Sequence, residues 1–156
     1  MTRTVRTTGN HTPRWGTWMV GIHLPLYRLT NGFIGHHLGH RRTLLLTTMG
    51  RRSGMPRTTP LTYMTDGPDY YVVASNWGSD QFPAWYYNLI AHPQVQVQIR
   101  NRRFQALAVV APPEERARLW EHLKTDGPQY QHHQALTSRE IPVIVLHPDQ
   151  RVGKAG

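Results

Sequence analysis

The chain has 156 residues, no cysteine and a formal net charge of +9. This length favours a single domain, and the lack of cysteine excludes disulfides, a thiol nucleophile and thiolate metal ligands. Sixteen of the 18 Lys and Arg side chains are arginine. Because guanidinium groups bind phosphate and carboxylate through two parallel bonds, this excess favours an anionic partner, although the codon bias of a GC-rich genome explains it equally well.

The first forty residues fall into a leader, an apolar stripe and a loop. Residues 1–13 are basic and polar, so we expect a flexible leader and no signal peptide, and hence a cytoplasmic protein. Trp15, Trp18 and Ile22 follow steps of three and four, which predicts an amphipathic helix over 14–30, broken near Pro25. Such a helix either caps the domain or makes peripheral contact with the inner face of the plasma membrane. Residues 31–42 read as a loop.

The remaining chain alternates between strands and two helices. Strands are predicted at 43–49, 57–64, 70–76, 94–100, 103–111 and 140–148, and helices at 83–92 and 112–124. Short turns favour antiparallel pairing, and closure into a barrel removes exposed edges. The pattern therefore predicts a mainly β (α+β) fold, with one domain over 14–148 and a tail at 149–156. No βαβ unit or Gly-x-Gly-x-x-Gly motif is present, which excludes a Rossmann domain.

The first candidate site is the loop "GRRSGMPR" at 50–57. It places Arg51, Arg52 and Arg57 within seven residues, and Gly50 and Gly54 allow a tight turn there. Guanidinium groups and consecutive backbone amides suit a phosphate or clustered carboxylates. An ordinary solvated hairpin loop and a contact with a nucleic-acid backbone are the alternatives.

The second candidate site is the segment "ASNWGSDQFPAWYYNL" at 74–89. A strand ends at Ser75, small and polar residues follow, and an aromatic-rich helix begins near Trp85. Hydroxyls, amides and flat side chains grouped at the end of a strand suit a flat heteroaromatic ring with polar edges. The alternative is a core-packing helix beside a polar loop.

Three runs together carry a family resemblance: "LLLTTMGRRSGMPRTTPLTY", "VVASNWGSDQFPAWYYNLIAHPQVQVQI" and "REIPVIVLHP". Over about residues 24–148 the chain resembles the deazaflavin-dependent nitroreductase family, actinobacterial oxidoreductases that use coenzyme F420. The resemblance implies a split antiparallel β-barrel of about six strands with flanking helices. It also implies hydride transfer from C5 of the reduced deazaflavin to an electron-poor acceptor such as a quinone, a nitroaromatic or an activated enone.

The resemblance also assigns roles to individual residues. It places the phosphodiester and polyglutamate tail of the coenzyme on the arginine loop, and the ring over Pro60, near Trp85, with its polar edge at Ser75 and the following amides. The cofactor-binding set that it implies is Arg51, Arg52, Ser53, Arg57, Thr58, Pro60, Ser75, Asn76, Trp77, Gly78 and Trp85. Asn88 is expected to cap local structure. The family often has a basic residue at the position of Asn76.

The acceptor side departs further from the family. Family tyrosines lie over the substrate in the segment that here reads "DGPQYQHHQ", where only Tyr130 is kept and Gly127 and His133 replace two others. Tyr130 and His133 are the candidate proton donors, and the alternative is that they only line the pocket. The resemblance therefore predicts substrate preference less well than it predicts the fold or the cofactor.

The sequence gives less support to other functions. The histidines at 36–40 and at 132–133 lack carboxylates at ligand spacing, so no metal site is expected. No serine lies in a Gly-x-Ser-x-Gly elbow. An FMN- or haem-binding barrel is an alternative, whereas nucleic-acid binding is disfavoured because the aromatic residues cluster in one segment. A small-molecule acceptor is the expected partner, and the sequence does not predict the oligomeric state.

Overall fold

A computed structural model describes residues 37–38 and 41–149 of the chain. The predicted leader, the predicted helix at 14–30 and residues 150–156 of the tail lie outside the described residues, as does most of the histidine cluster at 36–40. The described part is built around one antiparallel sheet, on which three helices and a short 3-10 turn are placed.

The sheet contains eight strands. They are β1 (His37–Leu38), β2 (Arg41–Met49), β3 (Pro56–Thr62), β4 (Met64–Asp66), β5 (Asp69–Val73), β6 (Gln94–Ile99), β7 (Arg102–Val110) and β8 (Val143–Pro148). The strand order is β1-β2-β6-β7-β8-β5-β4. Strand β3 lies outside this order and pairs with β2. Sequence neighbours pair as expected within β2–β3, β6–β7 and β7–β8, while the long-range pairs β2–β6 and β5–β8 join these ladders into one sheet.

The curled sheet turns back on itself where β3 becomes β4. Strand β3 pairs with β2, with Thr43 opposite Thr62, and two residues later Met64 pairs with Tyr71 of β5. The amide of Tyr63, between them, still donates to Arg42 O at 3.0 Å. The other edge of β3 has no strand partner among the described residues. Pro60 lies in this strand, as expected of a proline that can occupy only an edge.

Three helices flank the sheet: α1 (Ala84–Ala91), α2 (Pro113–Asp126) and α3 (Gln129–Ala135). A 3-10 turn, Asn76–Gly78, follows β5. Helix α2 begins with Pro113, has Glu114 and Glu115 in its first turn and Lys124 in its last, which is the arrangement that its macrodipole favours.

Two clusters of buried residues form the core. The inner cluster fills the barrel with the alternating side chains of the strands, among them Leu44, Leu46, Val95 and Val97, and with Leu89 of α1. The outer cluster packs Leu119 and Leu123 of α2 against Tyr71, Val143 and Val145 on the other face of the sheet. Strands β5 and β8 are therefore buried on both faces, which fixes the start of the segment that follows β5.

The structure confirms the mainly β antiparallel architecture and both predicted helices, and it corrects several details. The predicted strand 57–64 is divided at Tyr63, because the chain there changes partner strands. Part of the predicted loop 31–42 is strand, since β1 pairs with the start of β2. The third strand ends at Val73 rather than 76, and the last begins at Val143 rather than 140. Helix α3 was not predicted.

Candidate active site

A cleft runs along the open edge of β3 and consists of two joined cavities. The first, the arginine cavity, has a volume of about 670 Å³ and is lined by Gly50, Arg51, Arg52, Ser53, Pro56, Arg57, Thr58, Thr59, Ala84, Trp85 and Asn88. The second, the aromatic cavity, has about 420 Å³ and lies between β3, the 3-10 turn and α3. Thr59 and Trp85 line both cavities, which are therefore neighbours along β3.

The arginine loop is the hairpin connection between β2 and β3. Gly50 N donates to Met55 O and Gly54 N donates to Gly50 O, both at 2.8 Å. Gly54 has a φ of +66°, and a Cβ on Gly50 would lie 2.5 Å from Ser53 Oγ. The positive φ therefore favours glycine at position 54, whereas a Cβ at position 50 needs Ser53 to move; the turn presents the intervening arginines at the mouth of the cavity.

The three arginines of this loop are exposed and carry a concentrated positive charge. Among the ion pairs of the described residues, none involves Arg51, Arg52 or Arg57. The guanidinium carbon of Arg51 lies 4.7 Å from the centre of the Tyr87 ring of α1. A cavity bordered by cations that this part of the chain does not neutralise attracts an anion.

Asn88 fastens the arginine loop to α1. Its side chain is 6% exposed, its Oδ1 accepts from Arg51 N at 3.1 Å, and its Nδ2 donates to Thr48 Oγ1 at 3.2 Å. Its own backbone oxygen accepts from His92 N at the end of the helix. The side chain therefore reaches across to the loop, where it sets the backbone position of Arg51.

The expected anion nest is smaller than the sequence implied. The amides of Gly50, Arg51 and Gly54 already donate within the protein, and Met55 N donates to Ser53 Oγ at 3.2 Å. Of the loop amides from Gly50 to Met55, those of Arg52 and Ser53 have no acceptor among the described residues. The guanidinium groups are thus the main anion-binding groups of the loop, and backbone amides are a minor contribution.

The aromatic cavity combines apolar walls with a small polar cluster. Ser75 is 7% exposed and its Oγ lies 3.0 Å from Nδ1 of His133 on α3. Tyr130, one turn earlier on α3, is 7% exposed, and its ring packs edge-on to His133 with centroids 5.8 Å apart. The hydroxyl, imidazole and phenol therefore lie together in one wall of the cavity, beside Pro60 and Trp85.

Arg139 holds the segment 74–82 in place. Its guanidinium donates to Ser79 O and Ser75 O, both at 2.7 Å, and lies 4.7 Å from the centre of the Phe82 ring. Burial lowers the pKa of this guanidinium from its usual value, while the nearby Asp80 carboxylate acts in the opposite direction. Thr137 adds a 2.7 Å hydrogen bond to Asp80.

Gly78 makes the contact between the 3-10 turn and α3. It has a φ of +80°, and a Cβ there would lie 2.7 Å from His133 O and 2.8 Å from Leu136 Cβ. The turn can therefore approach α3 only with glycine at this position.

The structure divides the predicted site residues between the two cavities. The arginine cavity holds Arg51, Arg52, Ser53, Arg57, Thr58 and Trp85, and the aromatic cavity holds Pro60, Ser75, Asn76, Trp77, Trp85, Tyr130 and His133. Gly78 lines neither and supports the wall instead. The side chain of Asn76 donates to Gln81 O at 2.9 Å, which braces its own loop. Sequence reasoning missed Arg139, although it lies within one of the runs that carried the resemblance.

Two further observations bear on the other readings. Among residues 37–38 and 41–149, no group of three or more potential metal ligands occurs. In the same part of the chain, no helix combines the length and the apolar character that a membrane span needs.

Comparisons with known proteins agree with the fold. Residues 18–148 match the model of the F420H(2)-dependent quinone reductase family. The F420H(2)-dependent quinone reductase Rv1261c of Mycobacterium tuberculosis is 42% identical over 135 residues, which cover 84% of this chain and 91% of that protein. A solved F420-H2 dependent reductase, FDR-A, is 34% identical with a TM-score of 0.62, over 67% of this chain and 93% of its own.

A second solved structure, described as a domain-swapped dimer, is 30% identical with a TM-score of 0.65, over 85% of this chain and 98% of that one. The fold and these relatives define a split-barrel oxidoreductase. More particularly, the chain belongs to the F420H(2)-dependent quinone reductase family. The predicted deazaflavin oxidoreductase family, with coenzyme F420 as its cofactor, is thereby confirmed.

Proposed function

We propose that this protein reduces a quinone with reduced coenzyme F420, which binds along the cleft with its tail in the arginine cavity and its ring in the aromatic cavity. The observation that carries the proposal is the junction of the two cavities at Thr59 and Trp85. One end of the cleft offers concentrated positive charge, and the other offers flat apolar walls with a small polar cluster. The coenzyme has the same division between a polyanionic tail and a flat ring.

The residues of the first cavity fit the tail. Arg51, Arg52 and Arg57 have no carboxylate partner among the described residues, so a phosphodiester and glutamates can bind without displacing an internal ion pair. Charge-assisted hydrogen bonds of this kind contribute roughly 1.5–3 kcal/mol each when they are sheltered from water. Asn88 assists by fixing the backbone at Arg51.

The residues of the second cavity fit a flat ring with polar edges. Trp85 is 7% exposed and belongs to the inner core, so it gives the junction a rigid wall. Pro60 adds an apolar surface from the open edge of β3. The backbone amides of Asn76 and Trp77 lie in the turn that Arg139 holds, and they are our candidates for contact with the polar edge of the ring.

When bound, the reduced coenzyme supplies a hydride, and a quinone that takes up this hydride needs one proton to become a hydroquinone. A side chain in the aromatic cavity can provide that proton. To donate a proton, His133 must be the imidazolium: its Nδ1–H then donates to Ser75 Oγ, and the Nε2 proton passes to the quinone oxygen, which leaves a neutral imidazole. We assign His133 as the proton donor, replenished from solvent because its side chain is only half-buried, and Tyr130 as a hydrogen-bond donor to the same oxygen.

The decisive assay follows the return of the absorbance of oxidised coenzyme when the purified protein is mixed with reduced coenzyme and 2-methyl-1,4-naphthoquinone. We expect turnover well above the protein-free rate, and little with reduced FMN. The variant His133→Gln should lower kcat by about 10²-fold, since general acid catalysis contributes at least that much. Turnover with reduced FMN alone would contradict the proposal.

The remaining proposals concern location and partners. Residues 14–148 would form the single catalytic domain. The apolar stripe at 15–22 either caps the barrel or rests on a membrane surface that contains the quinone, and vesicle flotation of the full chain distinguishes the two.

A further inference from the structure

Trp77 is placed at the mouth of the aromatic cavity with its side chain in solvent. It lines the cavity together with Tyr130 and His133, yet it is 82% exposed, whereas Trp85 is 7% exposed. Its ring packs edge-on against the His133 imidazole, with centroids 5.7 Å apart. A large aromatic side chain in this position leaves most of its surface available to contact a bound molecule.

The backbone at Trp77 is in an unfavourable conformation. Asn76 and Trp77 have φ angles of +46° and +59°, and Gly78 follows at +80°. Left-handed backbone is unfavourable for a bulky residue and persists only when the surroundings impose it. Here the turn is fixed at one end by Arg139, which donates to Ser75 O and Ser79 O, and at the other by the close contact of Gly78 with α3. The indole is thereby directed to the cavity mouth.

We propose that Trp77 is the aromatic wall of the acceptor site, and that it makes the enzyme prefer fused two-ring quinones over single-ring ones. This inference rests on the proposed quinone reductase function. An electron-rich indole stacks on an electron-poor planar acceptor, and the contact grows with the area of the acceptor. Trp77 lines the aromatic cavity, beside the two candidate proton donors, and does not line the arginine cavity, so its indole is placed away from the anionic tail of the coenzyme. Its exposed position at the mouth places it over the acceptor, and a measurement of coenzyme binding distinguishes this role from stacking on the coenzyme ring.

The test compares Trp77→Ala and Trp77→Phe with wild type, using 1,4-benzoquinone and 2-methyl-1,4-naphthoquinone at saturating reduced coenzyme. Ile90→Ala is the matched control, because Ile90 is also exposed (53%) and apolar but lines neither cavity. For Trp77→Ala we expect KM for the naphthoquinone to rise about two- to tenfold, the range of a single aromatic contact, with a smaller rise for benzoquinone. Trp77→Phe should recover most of the affinity, and kcat should stay within about twofold.

Binding of the oxidised coenzyme, measured by its own fluorescence, separates this role from a role in cofactor binding. Unchanged coenzyme affinity in Trp77→Ala, together with the altered KM ratio, supports the acceptor wall. A loss of coenzyme affinity with an unchanged KM ratio overturns it, and so does a variant that behaves like Ile90→Ala. Failure of wild type to reduce either quinone refutes the proposed function itself, which is visible before any variant is made.

Discussion

Removing the Arg139 side chain should both destabilise the protein and loosen the wall of the active site. The guanidinium makes two short bonds, at 2.7 Å to Ser75 O and Ser79 O, and longer ones of 3.3–3.4 Å to Ala74 O and Gln81 O. Two short charge-assisted bonds contribute about 3–6 kcal/mol. The cost of desolvating the cation offsets part of this, which leaves a net loss of roughly 2–4 kcal/mol for Arg139→Ala.

Thermal unfolding measures this loss directly. At about 2–4 °C per kcal/mol for a chain of this size, Arg139→Ala should lower Tm by roughly 4–16 °C. Arg139→Lys should recover little of it, because an ammonium group cannot reach carbonyls on both sides as a planar fork does. Arg42→Ala, which removes an exposed arginine of β2, is the control for loss of charge. If the Tm of Arg139→Ala lies within about 1 °C of the Tm of that control, the hydrogen bonds of Arg139 do not stabilise the protein.

Three further changes test the supports of the cleft. Asn88→Ala leaves the amide of Arg51 without its acceptor, so we expect the free energy of unfolding in urea to fall by about 1–3 kcal/mol and the coenzyme to bind more weakly. Unchanged coenzyme binding would show that Asn88 does not position the arginine loop. Gly78→Ala puts a Cβ against α3 and should lower the free energy of unfolding by roughly 1–3 kcal/mol. A variant as stable as wild type would refute the close contact. The hydrogen bond from Arg118 lowers the pKa of Asp66 below its usual 3.8. The stabilisation that ionised Asp66 contributes is therefore present above about pH 4 and lost as the pH falls further. Asp66→Asn should make Tm depend less on pH in this acid range.

The strands were predictable because their signals are local. Val95 and Val97 alternate with glutamines on β6, and their burial on one face follows directly from that period. The arginine loop was equally readable, since two glycines and three arginines lie within eight residues. The residue pattern alone left open whether this loop binds an anion or is a solvated hairpin. The family resemblance then predicted that it binds the tail of the coenzyme.

The supports of the site depend on distant parts of the chain and were not predictable. Helix α3 has the sequence QYQHHQA, with no apolar period, and only Tyr130 is buried in it. It is fixed by contact with the 3-10 turn. Arg139 bonds to carbonyls 60 and 64 residues earlier, and its partners are backbone atoms, which leave no trace in residue types. The bend at Tyr63 likewise results from a change of partner strand.

The most direct test of the account compares the binding of oxidised coenzyme F420 with that of the same deazaflavin lacking its phosphodiester and glutamate tail, in wild type and in Arg52→Ala. The account predicts that Arg52→Ala weakens binding of the full coenzyme by roughly tenfold or more and leaves the tail-less compound unaffected, because Arg52 interacts only with the tail. Equal losses for both ligands, or no loss for either, would contradict the assignment of the arginine cavity.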